Sequence, residues 1–177
     1  AAHQLIDNPK VFEDPIALRI VGDQGDSEIY SEEQRFKTRL HSYLRAIVIA
    51  RSKFVEDELS VAIKRGVRQY VILGAGLDTF AYRNPYSSVG LRIFEVDYPA
   101  TQEWKRQKLD AAKIPIPGNM TFTPIDFESQ SLAGKLRETG FRTDDTIPFF
   151  MAWGNHVFTP GNNYGNDGIH LLVQTFR

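Results

Sequence analysis

The stretch YVILGAGLDTFAYR, residues 70–83, narrows the possible folds more than any other part of the chain. A short apolar run rich in β-branched residues reads as a buried strand. The two glycines that end it, Gly74 and Gly76, allow a tight turn in which a ligand can approach the backbone closely. The strand signal recurs in LRIFEVD (91–97), MTFTPIDF (120–127) and IPFFMAWG (147–154). Helical patterns lie between, in TFAYRN (79–84), ATQEWKRQKLDAAK (100–113) and SQSLAGKLRETG (129–140), the last closed by Gly140. Alternating strand and helix predicts an α/β fold, a doubly wound and mostly parallel sheet of the Rossmann-like kind. In such sheets ligands bind beyond the carboxyl ends of the strands, where strand order reverses.

Ahead of this core, residues 1–66 predict a helical part, and with residues 67–177 they are expected to form a single domain. VFEDPIALRIVG (11–22) is helical in pattern. The acidic DQGDSEIYSEEQ (23–34) reads as a solvated loop, because Asp23, Asp26 and Glu28 do not follow an EF-hand spacing. From Thr38 to Arg65, the residues Leu40, Leu44, Ile47, Val48, Val55, Leu59 and Ala62 recur at helical spacing and predict one long helix, or two in line, stopped by Gly66. Arg51 falls on that stripe, one turn from Ile47 and from Val55. A charge there either snorkels to water, pairs with a carboxylate or meets an anionic ligand.

Composition removes several function classes. The 21 basic and 22 acidic residues nearly cancel, so no polyanion-binding field is expected and nucleic acid is not an expected partner. Without cysteine there are no disulfides, thiolate zinc sites or cysteine nucleophiles. No run approaches the roughly 18 apolar residues of a membrane span, and AAHQLIDNPK lacks a signal peptide's apolar segment. The expectation is a cytoplasmic protein with no membrane partner. His3, His41, His156 and His170 show no metal-ligand spacing, and there is no GxSxG elbow, so neither a metal nor an acyl-enzyme is expected. The sequence carries no signal of oligomeric state.

The glycine loop discriminates among nucleotide-like ligands. A dinucleotide fingerprint places a third glycine where this chain has Thr79. Asp78 puts a carboxylate where a pyrophosphate needs backbone N–H groups and a positive helix end. A phosphate-free nucleoside suits the loop better, and S-adenosylmethionine, adenosine joined to a zwitterionic methionine through a sulfonium, is such a ligand. Asp97 closes the second strand 21 residues after Gly76, where a carboxylate can accept from two ribose hydroxyls, and Glu95 shares its face by parity. Asp126, after the third strand, is placed to accept from an adenine amino group, with Phe127 meeting the base. Arg51 then has a candidate anion in the methionine carboxylate.

These residues resemble the leucine carboxyl methyltransferase-like family, S-adenosylmethionine enzymes. The resemblance is carried by DNPKVFEDPIAL, ARSKFVEDEL, VILGAGLDTFAYR, IFEVDYPATQEWKRQKL and the pair Asp126-Phe127, over about residues 1–150. It implies that Arg51 binds the methionine carboxylate, that Gly74 lies along the cofactor, that Asp97 holds the ribose, and that Asp126 and Phe127 frame the adenine. Beyond the fourth strand WGNHVFTPGNNYGNDGIHLLVQTFR departs from the family pattern, and the sheet is expected to be incomplete at its C-terminal side.

The expected activity is transfer of a methyl group to oxygen, on a carboxylate or hydroxyl of a small molecule. A non-catalytic cofactor-binding paralogue or fragment is the alternative, and a nicotinamide dehydrogenase is disfavoured by Asp78 and Thr79. A carboxylate acceptor needs no base. For a hydroxyl acceptor His156 is either the base or an ordinary loop residue. Arg83 either anchors an acidic acceptor or pairs with Asp78. Trp104, Lys105, Arg106 and Lys108 read as a solvated helix face.

Overall fold

The computed structural model describes residues 1–32, 37–142 and 148–152. Its elements are α1 (Ala2–Ile6), α2 (Pro15–Ser31), α3 (Arg39–Lys64), β1 (Gln69–Leu73), α4 (Phe80–Arg83), β2 (Arg92–Asp97), α5 (Pro99–Ala111), β3 (Met120–Pro124), α6 (Leu132–Glu138) and β4 (Pro148–Ala152). The four strands are parallel in the order β3-β2-β1-β4. The chain steps outward from β1 to β3 and then returns to the other side of β1. Strand order therefore reverses between β1 and β4, as the doubly wound reading requires.

Both faces of the sheet are covered. Tyr70, Ile72 and Ile93 pack with Ile16 and Ile20 of α2, Leu59 and Ile63 of α3 and Leu109 of α5. Val71, Leu73, Phe94 and Val96 point the other way, onto Leu132 and Leu136 of α6 and Phe141. The period of two along β1 and β2 thus assigns alternate residues to opposite helical layers. Strand ends vary from the expected ones by a few residues, and MTFTPIDF stops pairing at Pro124.

Two expectations for the N-terminal part need correction. The described part of the acidic stretch is mostly helix rather than loop: past a break at Gly22 (φ 74°, ψ 177°), residues 23–31 continue as helix. Only glycine takes that backbone geometry readily, so the break sits at Gly22 and the chain resumes helical winding after it. The α3 stripe is buried only in part. Leu59 and Ile63 are in the core, whereas Leu40, Leu44, Ile47 and Val48 are 65, 52, 56 and 44% exposed. The cause is length: 26 residues of helix extend roughly 39 Å, more than twice the roughly 17 Å of a five-residue strand. The first turns of α3 therefore overhang the sheet.

Asp14 pins the N-terminal part to the core. Followed by Pro15, it opens α2, and its Oδ1 accepts from the Ala17 amide at 3.0 Å. Its Oδ2 accepts from the Thr79 hydroxyl and lies 3.3 Å from Arg83 Nε. We expect Asp14→Ala to lower stability by about 2 kcal/mol, from a lost cap and a lost buried hydrogen bond. Urea denaturation measures it. An unchanged midpoint would mean that Asp14 does not tie α2 to the loop after β1.

Among the described residues no helix is long and apolar enough to cross a membrane, and no cluster of His, Asp and Glu suits a metal ion.

Candidate functional site

The loop after β1 folds onto the end of β2. Gly74 and Gly76 take positive φ, 65° and 45°, which lets the chain turn back at once. The Gly74 and Ala75 amides then donate to the Val96 carbonyl, at 2.8 and 3.2 Å. The Gly76 amide donates to Asp97 Oδ2 at 2.6 Å. Asp97 Oδ1 accepts from the Tyr98 amide at 2.7 Å. The Asp78 amide donates to the Ala75 carbonyl at 2.7 Å, and the Asp78 carboxylate accepts from the Phe80 amide at 2.8 Å. Five loop amides thus have intramolecular acceptors.

Above the loop lies a cleft of about 330 Å³. Its floor is residues 74–79, one wall is Phe12 and Asp14, and α3 contributes Ile49 and Ser52. It occupies the end of the sheet that the strand reversal designates.

The sequence-selected residues are distributed around this end as follows. Gly74, Gly76 and Asp97 are brought together directly. Asp97 faces Pro124 in the β2–β3 register, and its carbonyl accepts from the Ile125 amide at 2.9 Å, so Asp126 lies at the neighbouring strand tip. The Asp126 carboxylate forms a local turn, accepting from the Glu128 amide (3.0 Å) and the Ser129 hydroxyl (2.9 Å), and Phe127 is exposed. Arg51 is half-buried on α3, between the wall residues Ile49 and Ser52 in sequence. His156 and His170 lie outside the described residues.

Beneath the loop the structure places charge that the sequence reading assigned to solvent. Lys105 is 1% exposed and no part of a solvated face; its Nζ donates to Glu95 Oε2 at 2.6 Å and to the Asp78 carbonyl at 2.7 Å. Arg106 stacks on Phe122, 3.9 Å from the ring centroid, while Trp104 is exposed. The legible signal was spacing: Gln102, Lys105 and Leu109 form the buried stripe of α5, and Glu95 has the core-facing parity of Tyr70-side residues. Burial pushes the Glu95 carboxyl up to about 7, with Lys105 opposing it. Burial also raises Asp78, again against Lys105, and raises the Tyr82 phenol, with the Glu95 and Asp78 charges adding to the effect.

Arg83 does not pair with Asp78. Its guanidinium forks onto both oxygens of Glu56 on α3 and lies beside Asp14. Three segments far apart in the chain are thereby joined behind the loop: α3, α4 and the turn before α2. At the N-terminus, His3 Nε2 accepts from the Val11 amide, its Nδ1 donates to Asp7, and Arg45 clamps Asp7 with two bonds of 2.8 Å. The Arg45 bonds hold the Asp7 carboxyl below its ordinary value, against burial.

A cleft at the switch point of a doubly wound sheet is the place where α/β proteins of this architecture bind small ligands. The leucine carboxyl methyltransferase family pattern matches residues 1–162, and the chain belongs to that family. Three similar proteins carry the name "Putative S-adenosyl-L-methionine-dependent methyltransferase". YktD of Bacillus subtilis is 33% identical over 174 residues, 87% of this chain and 57% of the relative. A Streptomyces avermitilis protein is 36% identical over 92% of this chain and 56% of its own length. A Parafrankia protein is 37% identical over 75% of this chain and 43% of its own length. The chain thus spans about half the length of the curated relatives it matches.

Proposed function

We propose that this chain is the cofactor-binding portion of an S-adenosylmethionine-dependent methyltransferase that methylates oxygen on a carboxylate or hydroxyl of a small molecule. The observation that carries the reading is the use of the loop's N–H groups. Gly74, Ala75, Gly76, Asp78 and Phe80 already donate within the chain, and the half-buried Asp78 carboxylate follows the glycines. A pyrophosphate needs those donors and suffers from that carboxylate; a nucleoside with a cationic tail needs neither concession. The cleft is of the size that holds a small cofactor, and relatives bear the name of S-adenosyl-L-methionine-dependent methyltransferases.

In this reading Asp97 holds the ribose and Gly74 and Gly76 lie along the ligand. Asp126 and Phe127 frame the adenine, and Arg51 meets the methionine carboxylate. S-adenosylmethionine supplies a methyl group on a sulfonium for in-line displacement, so the chain's tasks are alignment and exclusion of water. Titration calorimetry with S-adenosylhomocysteine, and NADH as control, tests the reading. Micromolar binding of the former alone is expected, and NADH binding that survives Asp97→Ala would sink it.

The role of Arg51 has its own test. Arg51→Ala is expected to weaken S-adenosylmethionine by roughly tenfold or more while leaving methylthioadenosine, which has no carboxylate, nearly unchanged. Equal losses for the two ligands would assign Arg51 to the packing of α3.

A further inference from the structure

The two acids on one face of β2 both end at the glycine loop. Asp97 reaches it directly, through the Gly76 amide at 2.6 Å. Glu95, two residues earlier and fully buried, reaches it through Lys105, whose Nζ lies 2.6 Å from Glu95 Oε2 and 2.7 Å from the Asp78 carbonyl. Gln102, one turn before Lys105, donates to the Glu95 carbonyl at 2.7 Å and keeps α5 at a fixed height along β2.

As a device for stability the ion pair is poor. A buried pair commonly gains nothing over two apolar side chains of similar volume. The carboxylate's second oxygen is also poorly satisfied: Glu95 Oε1 and the Tyr82 hydroxyl, both buried, lie close enough for the carboxylate to raise the phenol but make no well-formed hydrogen bond among the described residues. What the arrangement does deliver is a rigidly held donor under the peptide that follows Asp78, in the floor of the cleft.

We propose that Lys105 is a positioning residue for the cofactor loop: held by Glu95, it donates to the Asp78 carbonyl and, with Asp97, fixes residues 74–79 in the shape that receives the ligand. The ligand's identity in this statement rests on the methyltransferase reading; the ordering of the loop does not.

The test separates loop order from fold stability. In the double variant Glu95→Leu/Lys105→Met both charges go and volume is kept, so the urea midpoint should stay near that of wild type. The Asp78 carbonyl loses its donor. Hydrogen exchange followed by mass spectrometry should then show the peptide covering residues 74–80 exchanging roughly tenfold faster or more, with β1 and β3 unaltered, and S-adenosylhomocysteine should bind roughly tenfold more weakly. Unchanged loop exchange in the folded double variant overturns the proposal. Glu95→Gln is the second arm, since its amide oxygen still accepts from Lys105 Nζ and keeps the lysine under the Asp78 carbonyl while the acid's charge is gone. Loop protection within about threefold of wild type supports the assignment, and loss of protection overturns it. A wild-type chain that fails to bind S-adenosylhomocysteine would refute the methyltransferase reading, and the exchange comparison would still decide the role of Lys105.

Discussion

Lys105→Met alone is expected to destabilise the fold by about 3 to 5 kcal/mol at pH 8, and by distinctly less at pH 5. The substitution keeps the side-chain volume and removes an ammonium that is 1% exposed and 2.6 Å from Glu95 Oε2. A buried carboxylate without its counter-ion is the costly product. Glu95 can avoid that cost by taking up a proton, and burial has already raised its carboxyl from 4.5 to about 7 with the lysine present. Removing Lys105 takes away the opposing effect and moves it higher.

The sign follows from proton binding. The folded value lies above the unfolded one, so between about 4.5 and about 7 the native chain holds a proton that the unfolded chain releases. Glu95's contribution to stability is therefore full below about 4.5 and is lost as pH rises through about 7. Wild type itself should lose stability across this window, on the order of 3 kcal/mol. In Lys105→Met the fall should be steeper and extend to higher pH, and in Glu95→Gln it should largely disappear. Urea denaturation at pH 5, 6.5 and 8 provides the comparison. A cost of Lys105→Met that is the same at all three values would mean that Glu95 is not the group left uncompensated.

That pair also marks where sequence reading succeeds and where it stops. The sheet was legible because a parallel sheet buried on both faces demands near-continuous apolar runs, and YVIL supplies one, with IFEV, broken only by Glu95, beside it. The ligand end was legible because positive φ restricts the turn to glycine and because Asp97 closes its strand. Lys105 was not legible as a core residue. Lysine on an amphipathic helix is usually solvated, and only the joint placement of a core-facing acid on β2 and a lysine on the buried stripe of α5 distinguishes the exception. The expected Arg83–Asp78 pairing failed for a related reason. Local spacing offers Asp78, but Asp78 is occupied by the Phe80 amide, and the guanidinium finds Glu56, 27 residues earlier, across a tertiary contact. The exposed first half of α3 was hidden as well, since periodicity reports that a helix has an apolar side and not how far a neighbour extends along it.

Asp97→Ala is expected to weaken S-adenosylhomocysteine binding by about 1 to 3 kcal/mol, roughly 5- to 150-fold. Two contributions add. The carboxylate is the acceptor for the Gly76 amide and the Tyr98 amide, so its removal loosens the loop on which any ligand would rest. Each carboxylate oxygen also has a second lone pair, and these are the acceptors assigned to the ribose hydroxyls. Affinity for the whole cofactor cannot separate the two effects, but a comparison of adenosine with its 2′,3′-dideoxy analogue can. Loosening of the loop weakens both ligands alike, whereas a lost ribose contact affects adenosine only. Wild type should therefore prefer adenosine, and in Asp97→Ala the preference should collapse. If the variant binds both more weakly and still prefers adenosine by the wild-type ratio, Asp97 anchors the glycine loop and some other group reads the ribose.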